Sequence, residues 1–139
     1  MAARVSSVIE SFGEVNFANA DLGDSRRTNC LVATANLMRR RPGGSLPQKL
    51  NAPKDLRAFY RLVDRKEVTH EAILAPHRKA TFNKIKQRKT PVLILHDATE
   101  LDYTTHFSLR NDLGQIGNGA HRGYIAQNSL AVDSQTRKV

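Results

Sequence analysis

Three carboxylates lie close together in the stretch Pro91–Thr105, PVLILHDATELDYTT: Asp97, Glu100 and Asp102. Carboxylates are hard oxygen donors suited to Mg2+, and a held Mg2+ activates water or a hydroxyl for phosphoryl transfer. Alternation limits what they can do together. In a regular strand Glu100 and Asp102 point to one face and Asp97 to the other, so a metal centre built here needs acids from elsewhere. Each could instead cap a strand end or pair with a basic side chain.

Other chemistries are poorly served. His70, His77, His96, His106 and His121 contain no His-x-x-x-His pair, and the single Cys offers no partner pair, so a structural zinc site is not expected. Cys30 reads as a core residue on an apolar helix face rather than a nucleophile. Gly117-x-Gly119-x-x-x-Gly123 has the wrong spacing for a dinucleotide fingerprint and precedes a strand, so it reads as a flexible turn.

The elements that must position these residues follow from pattern. Val92–Leu95, the longest aliphatic run, predicts a central strand covered on both faces, with Asp97 at its C-terminal lip where open α/β sheets place ligands. The chain then stays extended to Tyr103, and Tyr124–Val132 predicts a second strand in an antiparallel, hairpin-like pair. Asp133-Ser134 suggests a further turn.

Upstream, the pattern is helical. Val5–Phe12 predicts a short helix, loosened by Gly13 and Asn16. Asp24 is a good N-cap for a helix reaching Arg41, with Cys30, Leu31, Thr34, Ala35, Leu37 and Met38 on the packed face and Ser25, Asn29, Asn36, Arg39 and Arg40 on the wet one. A loop holding Pro47 leads to a helix over Lys54–Val63, introduced by Pro53 and striped by Leu56, Phe59, Tyr60 and Val63. Thr69 and Glu71 start another helix, in which Pro76 predicts a kink or restart.

Charge separates these two regions. The net charge is +9, with seventeen basic and five acidic residues between positions 24 and 90, and four against five from 91 onward. One basic block suggests a polyanion partner, double-stranded DNA above all, although a merely solubilising surface has the same composition. The block lacks clustered aromatic residues, which disfavours an RNA-binding module. The longest apolar run is far short of a membrane span, and the N-terminus lacks a signal peptide's apolar core. A cytoplasmic protein is expected, divided near residue 90.

Several motifs, in order, carry a resemblance: Ala20-Asp21-Leu22-Gly23-Asp24-x-Arg26-Arg27-Thr28, Arg41-Pro42-Gly43-x-Ser45-x-Pro47-Gln48, Ala58-Phe59-Tyr60-Arg61, Val68-Thr69-x-Glu71-Ala72-Ile73, His96-Asp97-x-Thr99-x-Leu101-x-Tyr103, Leu113-Gly114-x-Ile116-Gly117 and Arg122-Gly123. Together they resemble the bacterial cut-and-paste transposases of the insertion-sequence-four group. The resemblance implies an α+β chain: a helical DNA-binding region over 1–90, then the first strands of an incomplete ribonuclease-H-like domain over 91–139.

It further implies that Asp97 is the first of three catalytic acids and a ligand of Mg2+, and that Arg26, Arg27 and Arg122 approach transposon-end DNA. On their basic helix faces, Arg40 and Arg61 are expected to join them in contacting phosphates. Ala98 departs from the family's usual Thr beside the acid, and the second and third acids have no counterpart here. The expectation is therefore a DNA-binding portion of a transposase, inactive alone. The alternatives are half of a split strand-transferase, completed by a C-terminal transposase fragment or a dimer partner, and an inactive relic.

Overall fold

Gly23 takes a left-handed backbone, φ +74°, and turns the chain so that Asp24 can cap the helix that follows. The Asp24 carboxylate accepts the Arg26 backbone N–H at 2.8 Å, starting α2 over Ser25–Arg40. These details come from a computed structural model, which describes residues 11–139. It comprises two compact units, Met1–Asn83 and Lys84–Val139. Its content is α+β: five helices and a small antiparallel sheet among the described residues.

In the first unit, α2 packs against α1 (Phe12–Phe17), α3 (Leu46–Lys49) and α4 (Pro53–Val63). Ala20, Leu22 and Leu62 form the buried centre, with Cys30, Leu31, Val68, Ala72 and Ile73 packed against it. Burying a leucine such as Leu22 contributes about 1.5–3 kcal/mol. Thr28 ties the start of α2 to this centre by donating its hydroxyl to the Ala20 carbonyl at 2.9 Å.

Several expectations are corrected here. Most of the helix expected over Val5–Phe12 lies outside the described residues, and the observed α1 begins at Phe12 and includes Gly13. Gly13 permits a close approach, since a Cβ there would sit 2.3 Å from the Val32 carbonyl oxygen. Asn36, assigned to the wet face of α2, instead bridges to α1: its Oδ1 accepts the Gly13 N–H at 2.8 Å and its Nδ2 donates to the Ser11 hydroxyl at 2.9 Å. The supposed loop around Pro47 is the one-turn α3, whose Ser45 N–H donates to Gln48 Oε1 at 2.6 Å. In α4 the buried residue is Leu62, while Tyr60 and Val63 are exposed, because the packed side is the one turned to Leu22.

α5 runs unbroken over His70–Gln87 with Pro76 inside it, so no restart occurs. Proline removes one ladder hydrogen bond at a cost of about 3 kcal/mol, which the helix sustains here. Thr69 caps it, accepting the Ala72 N–H at 3.1 Å.

In the second unit β1 (Val92–Asp102) pairs antiparallel with β3 (Arg122–Asp133), and β3 also pairs with the short β2 (Gly114–Gln115), giving the order β1-β3-β2. The hairpin-like pairing follows the alternation of the sequence. The predicted central position and burial of β1 do not hold. It is an edge strand, and Leu93, Ile94 and Leu95 are each about half exposed. The unit supplies a sheet, a 3-10 turn at Phe107–Leu109 and the end of α5, so aliphatic content alone did not bring a covering layer with it.

Gly123 is likewise not part of a turn. It lies buried in β3 opposite Asp102 and Gly114, and a Cβ there would meet the Leu101 carbonyl oxygen at 1.9 Å. Gly117 and Gly119, at φ +52° and +93°, do form the expected turn, pinned by the Gly117 N–H donating to Glu100 Oε1 at 2.9 Å.

Candidate nucleic-acid interface

Four arginines of the first unit were expected to meet phosphate, and the fold gives them unequal freedom. Arg26 stands at the exposed start of α2, 89 % exposed, but its guanidinium is held by its own helix cap: Nη2 lies 2.8 Å from Asp24 Oδ2 and Nε 3.2 Å from both carboxylate oxygens. The Arg26 side chain first, and its backbone N–H second, draw the Asp24 pKa down to about 2. A phosphate reaching Arg26 shares it with Asp24.

Arg27 is more committed. Its Nη1 donates to the Leu22 carbonyl at 2.8 Å and lies 3.1 Å from Glu67 Oε2, and its side chain is only 26 % exposed. It ties the entry to α2 to the segment between α4 and α5. Its first role is to hold the unit together.

Arg40 and Arg61 are exposed, and neither makes an ion pair among the described residues. Arg61 has company. At 100° per residue Lys54, Arg57 and Arg61 share one side of α4, separate from the side on which Leu62 is buried, and all three are exposed. A shallow hollow lined by Tyr60, Arg61, Val63 and Asp64 lies beside this ridge. Lys54 was not among the residues expected to contact phosphate. The seven-residue step from Lys54 to Arg61 was the available signal, because two helical turns return a side chain to the same side. Guanidinium and ammonium groups on a ridge of this kind form charge-assisted hydrogen bonds with phosphate oxygens.

Near the C-terminal end of α2 the neighbouring arginines are partly occupied. Arg39 stacks over the Phe12 ring, 5.1 Å from its centroid, and Arg41 donates to the Gln48 carbonyl at 3.3 Å. Arg40 is the outward one of the three.

The second unit holds the remaining expected site residues, Asp97 and Arg122. Asp97 lies exposed in mid-strand opposite Asn128, not at a strand terminus, because β1 continues to Asp102. Glu100 and Asp102 are on the other face, as alternation required. Both are occupied: Glu100 by the Gly117 N–H, and Asp102 by the Thr104 hydroxyl and N–H and by His121 Nδ1 at 3.2 Å. The Thr104 hydroxyl is the main reason that the Asp102 pKa is lowered, followed by the Thr104 N–H and His121. Among the described residues no three His, Cys, Asp or Glu side chains gather as a metal site. Arg122 is exposed and donates to the Leu113 carbonyl at 3.2 Å.

Comparison with known families locates the DNA-binding part. Residues 9–68 match the family described as transposase DNA-binding. The match takes in α1 through α4, with Arg26, Arg27, Arg40 and Arg61, and supports a DNA-binding N-terminal part of a transposase. No curated protein matches the chain. No helix of the described residues is long and apolar enough to cross a membrane.

Proposed function

We propose that this chain is the DNA-binding N-terminal portion of a transposase of the insertion-sequence-four group, and that it recognises duplex DNA at transposon ends. The observation that carries the reading is the coincidence of the matched segment 9–68 with a helical unit that turns Lys54, Arg57 and Arg61 outward on α4 and Arg40 outward on α2. Phosphate contacts of this kind fix register on DNA without reading sequence, so end recognition needs base contacts in addition. The exposed side of α2 carries Ser25, Asn29 and Ala33 alongside Arg26 and Arg40, small side chains that let a helix backbone approach a groove. The test is competition between a labelled duplex of the element's own terminal sequence and unlabelled duplexes of terminal or shuffled sequence. Terminal duplex competing more strongly than shuffled duplex supports end recognition; equal competition removes it and leaves general DNA binding.

A second reading makes the chain one part of a split metal-dependent strand-transferase with a ribonuclease-H-like domain, in which Asp97 is one of three acids. It rests on the accessible Asp97 carboxylate on β1. The described residues do not by themselves fit Mg2+, since Asp97 shares its face with Leu95, Thr99 and Asn128 while Glu100 and Asp102 are occupied on the other. Any magnesium site would need carboxylates from a C-terminal fragment or a dimer partner. Mixing the chain with such a fragment, Mg2+ and end duplex tests this reading, and nicking that survives Asp97→Asn would remove it.

A further inference from the structure

The matched DNA-binding segment does not hold most of the charge. Residues 9–68 carry a net +4, whereas the 22 residues from 69 to 90 carry +5, more than half of the chain's +9. Between Glu71 and Asp97 there are six basic residues and no acid. Two of the six are occupied: Arg78 Nη1 lies 2.6 Å from Glu71 Oε2, and Arg88 Nη1 lies 3.7 Å from Asp133 Oδ2. The four lysines, Lys79, Lys84, Lys86 and Lys89, are exposed and make no ion pair among the described residues.

Helical geometry orders them further. Lys79 and Lys86 are seven residues apart on α5, hence on one side and roughly 10 Å apart along the axis. Between them lie Phe82, 61 % exposed, and the exposed Asn83. α5 has no buried residue along its whole length. A helix of this composition gains nothing from like charges on one side unless an anion faces them.

We infer that the Lys79–Lys86 side of α5 is a second contact for the phosphate backbone of duplex DNA, outside the matched segment. The inference rests on the DNA-binding reading above and extends it to an element that reading does not use. Lysines are mobile point charges, suited to following a backbone irrespective of sequence, whereas the arginine ridge of α4 suits fixed two-pronged contacts. The expected division is therefore that α5 adds affinity and salt dependence without sequence preference.

The experiment is the salt dependence of affinity for a fluorescein-labelled random-sequence duplex, followed by anisotropy. It compares the wild-type chain, Lys79→Ala with Lys86→Ala, Lys79→Arg with Lys86→Arg, and Arg40→Ala with Arg61→Ala. Circular dichroism verifies that each variant keeps its helix content. Two lost phosphate contacts make the log–log slope shallower by about 1.8, and the arginine replacements restore it. A slope unchanged in the lysine-to-alanine pair, while the Arg40/Arg61 pair is shallower, overturns the α5 contact and leaves the primary reading intact. Absence of binding by the wild-type chain overturns both. An unchanged slope accompanied by lost binding to phosphatidylserine vesicles assigns the side to a membrane surface and likewise overturns the inference.

Discussion

Arg27 and Glu67 meet with Nη1 and Oε2 3.1 Å apart, joining the first turn of α2 to the segment just before α5. The same guanidinium holds the Leu22 carbonyl at 2.8 Å, beside the centre of the helical core. Two adjacent arginines in one motif thus have different duties: Arg26 faces solvent and Arg27 faces the protein.

Their variants should separate accordingly. Arg27→Ala leaves the Leu22 carbonyl without its partner in a half-buried place and lowers stability by about 1–2 kcal/mol. Arg26→Ala leaves the Asp24 cap intact, because the cap accepts from a backbone N–H, and should not move the unfolding midpoint. Urea titrations of the two variants measure this, and equal midpoints would contradict the assignment.

The sheet depends on the missing side chain at position 123. Gly123→Ala places a Cβ against the Leu101 carbonyl and should destabilise the β1–β3 pairing on the order of 3 kcal/mol, by the cost of forced overpacking. Gly114→Ala meets nothing within 4 Å and serves as the control. Amide hydrogen exchange at Leu101 and Tyr124 distinguishes them, with protection lost in the first variant and kept in the second.

Acid should loosen the end of the sheet through Asp133. This carboxylate is 6 % exposed and accepts the Thr136 N–H at 2.9 Å, the Thr90 hydroxyl at 3.0 Å and the Gln135 N–H at 3.0 Å. The Thr136 N–H and then the Thr90 hydroxyl are the chief causes that lower its pKa to about 2. A carboxylate lowered on folding stabilises the fold fully above its unfolded pKa of about 3.9, and that contribution is lost as pH falls through about 2. Stability should therefore decline between those values, and Asp133→Asn should flatten that part of the profile. An identical acid limb in the variant would assign the effect elsewhere, Asp24 being the next carboxylate with a pKa of about 2.

What the sequence revealed and what it hid follow from the range of the interactions. Asp24, Pro53 and Thr69 announced helix starts because capping is decided within four residues. The opposite faces of Asp97 and Glu100 followed from the pleat alone. The bridge from Asn36 to Ser11 and Gly13 spans 25 and 23 positions, and no local pattern announces it. Tyr60 and Val63 looked like core because amphipathic spacing gives a stripe but not the side of it that a neighbour covers. Val92–Leu95 read as buried for the same reason: apolar residues indicate which strand would benefit from cover, not whether a layer is there. Among the candidate site residues, sequence found the basic character of α2 and α4, and only the folded neighbours separated committed from outward-facing arginines.

The central claim is that outward arginines of the helical unit grip duplex DNA, and the Arg40→Ala/Arg61→Ala pair tests it most directly. Neither residue forms an ion pair among the described residues, so their loss should leave the fold unchanged and act on binding alone. Measured against duplex DNA over a series of salt concentrations, the pair should weaken binding at low salt and make the log–log slope shallower by about 1.8, two phosphates at roughly 0.9 each. Wild-type affinity and slope in a folded Arg40→Ala/Arg61→Ala variant would contradict the account.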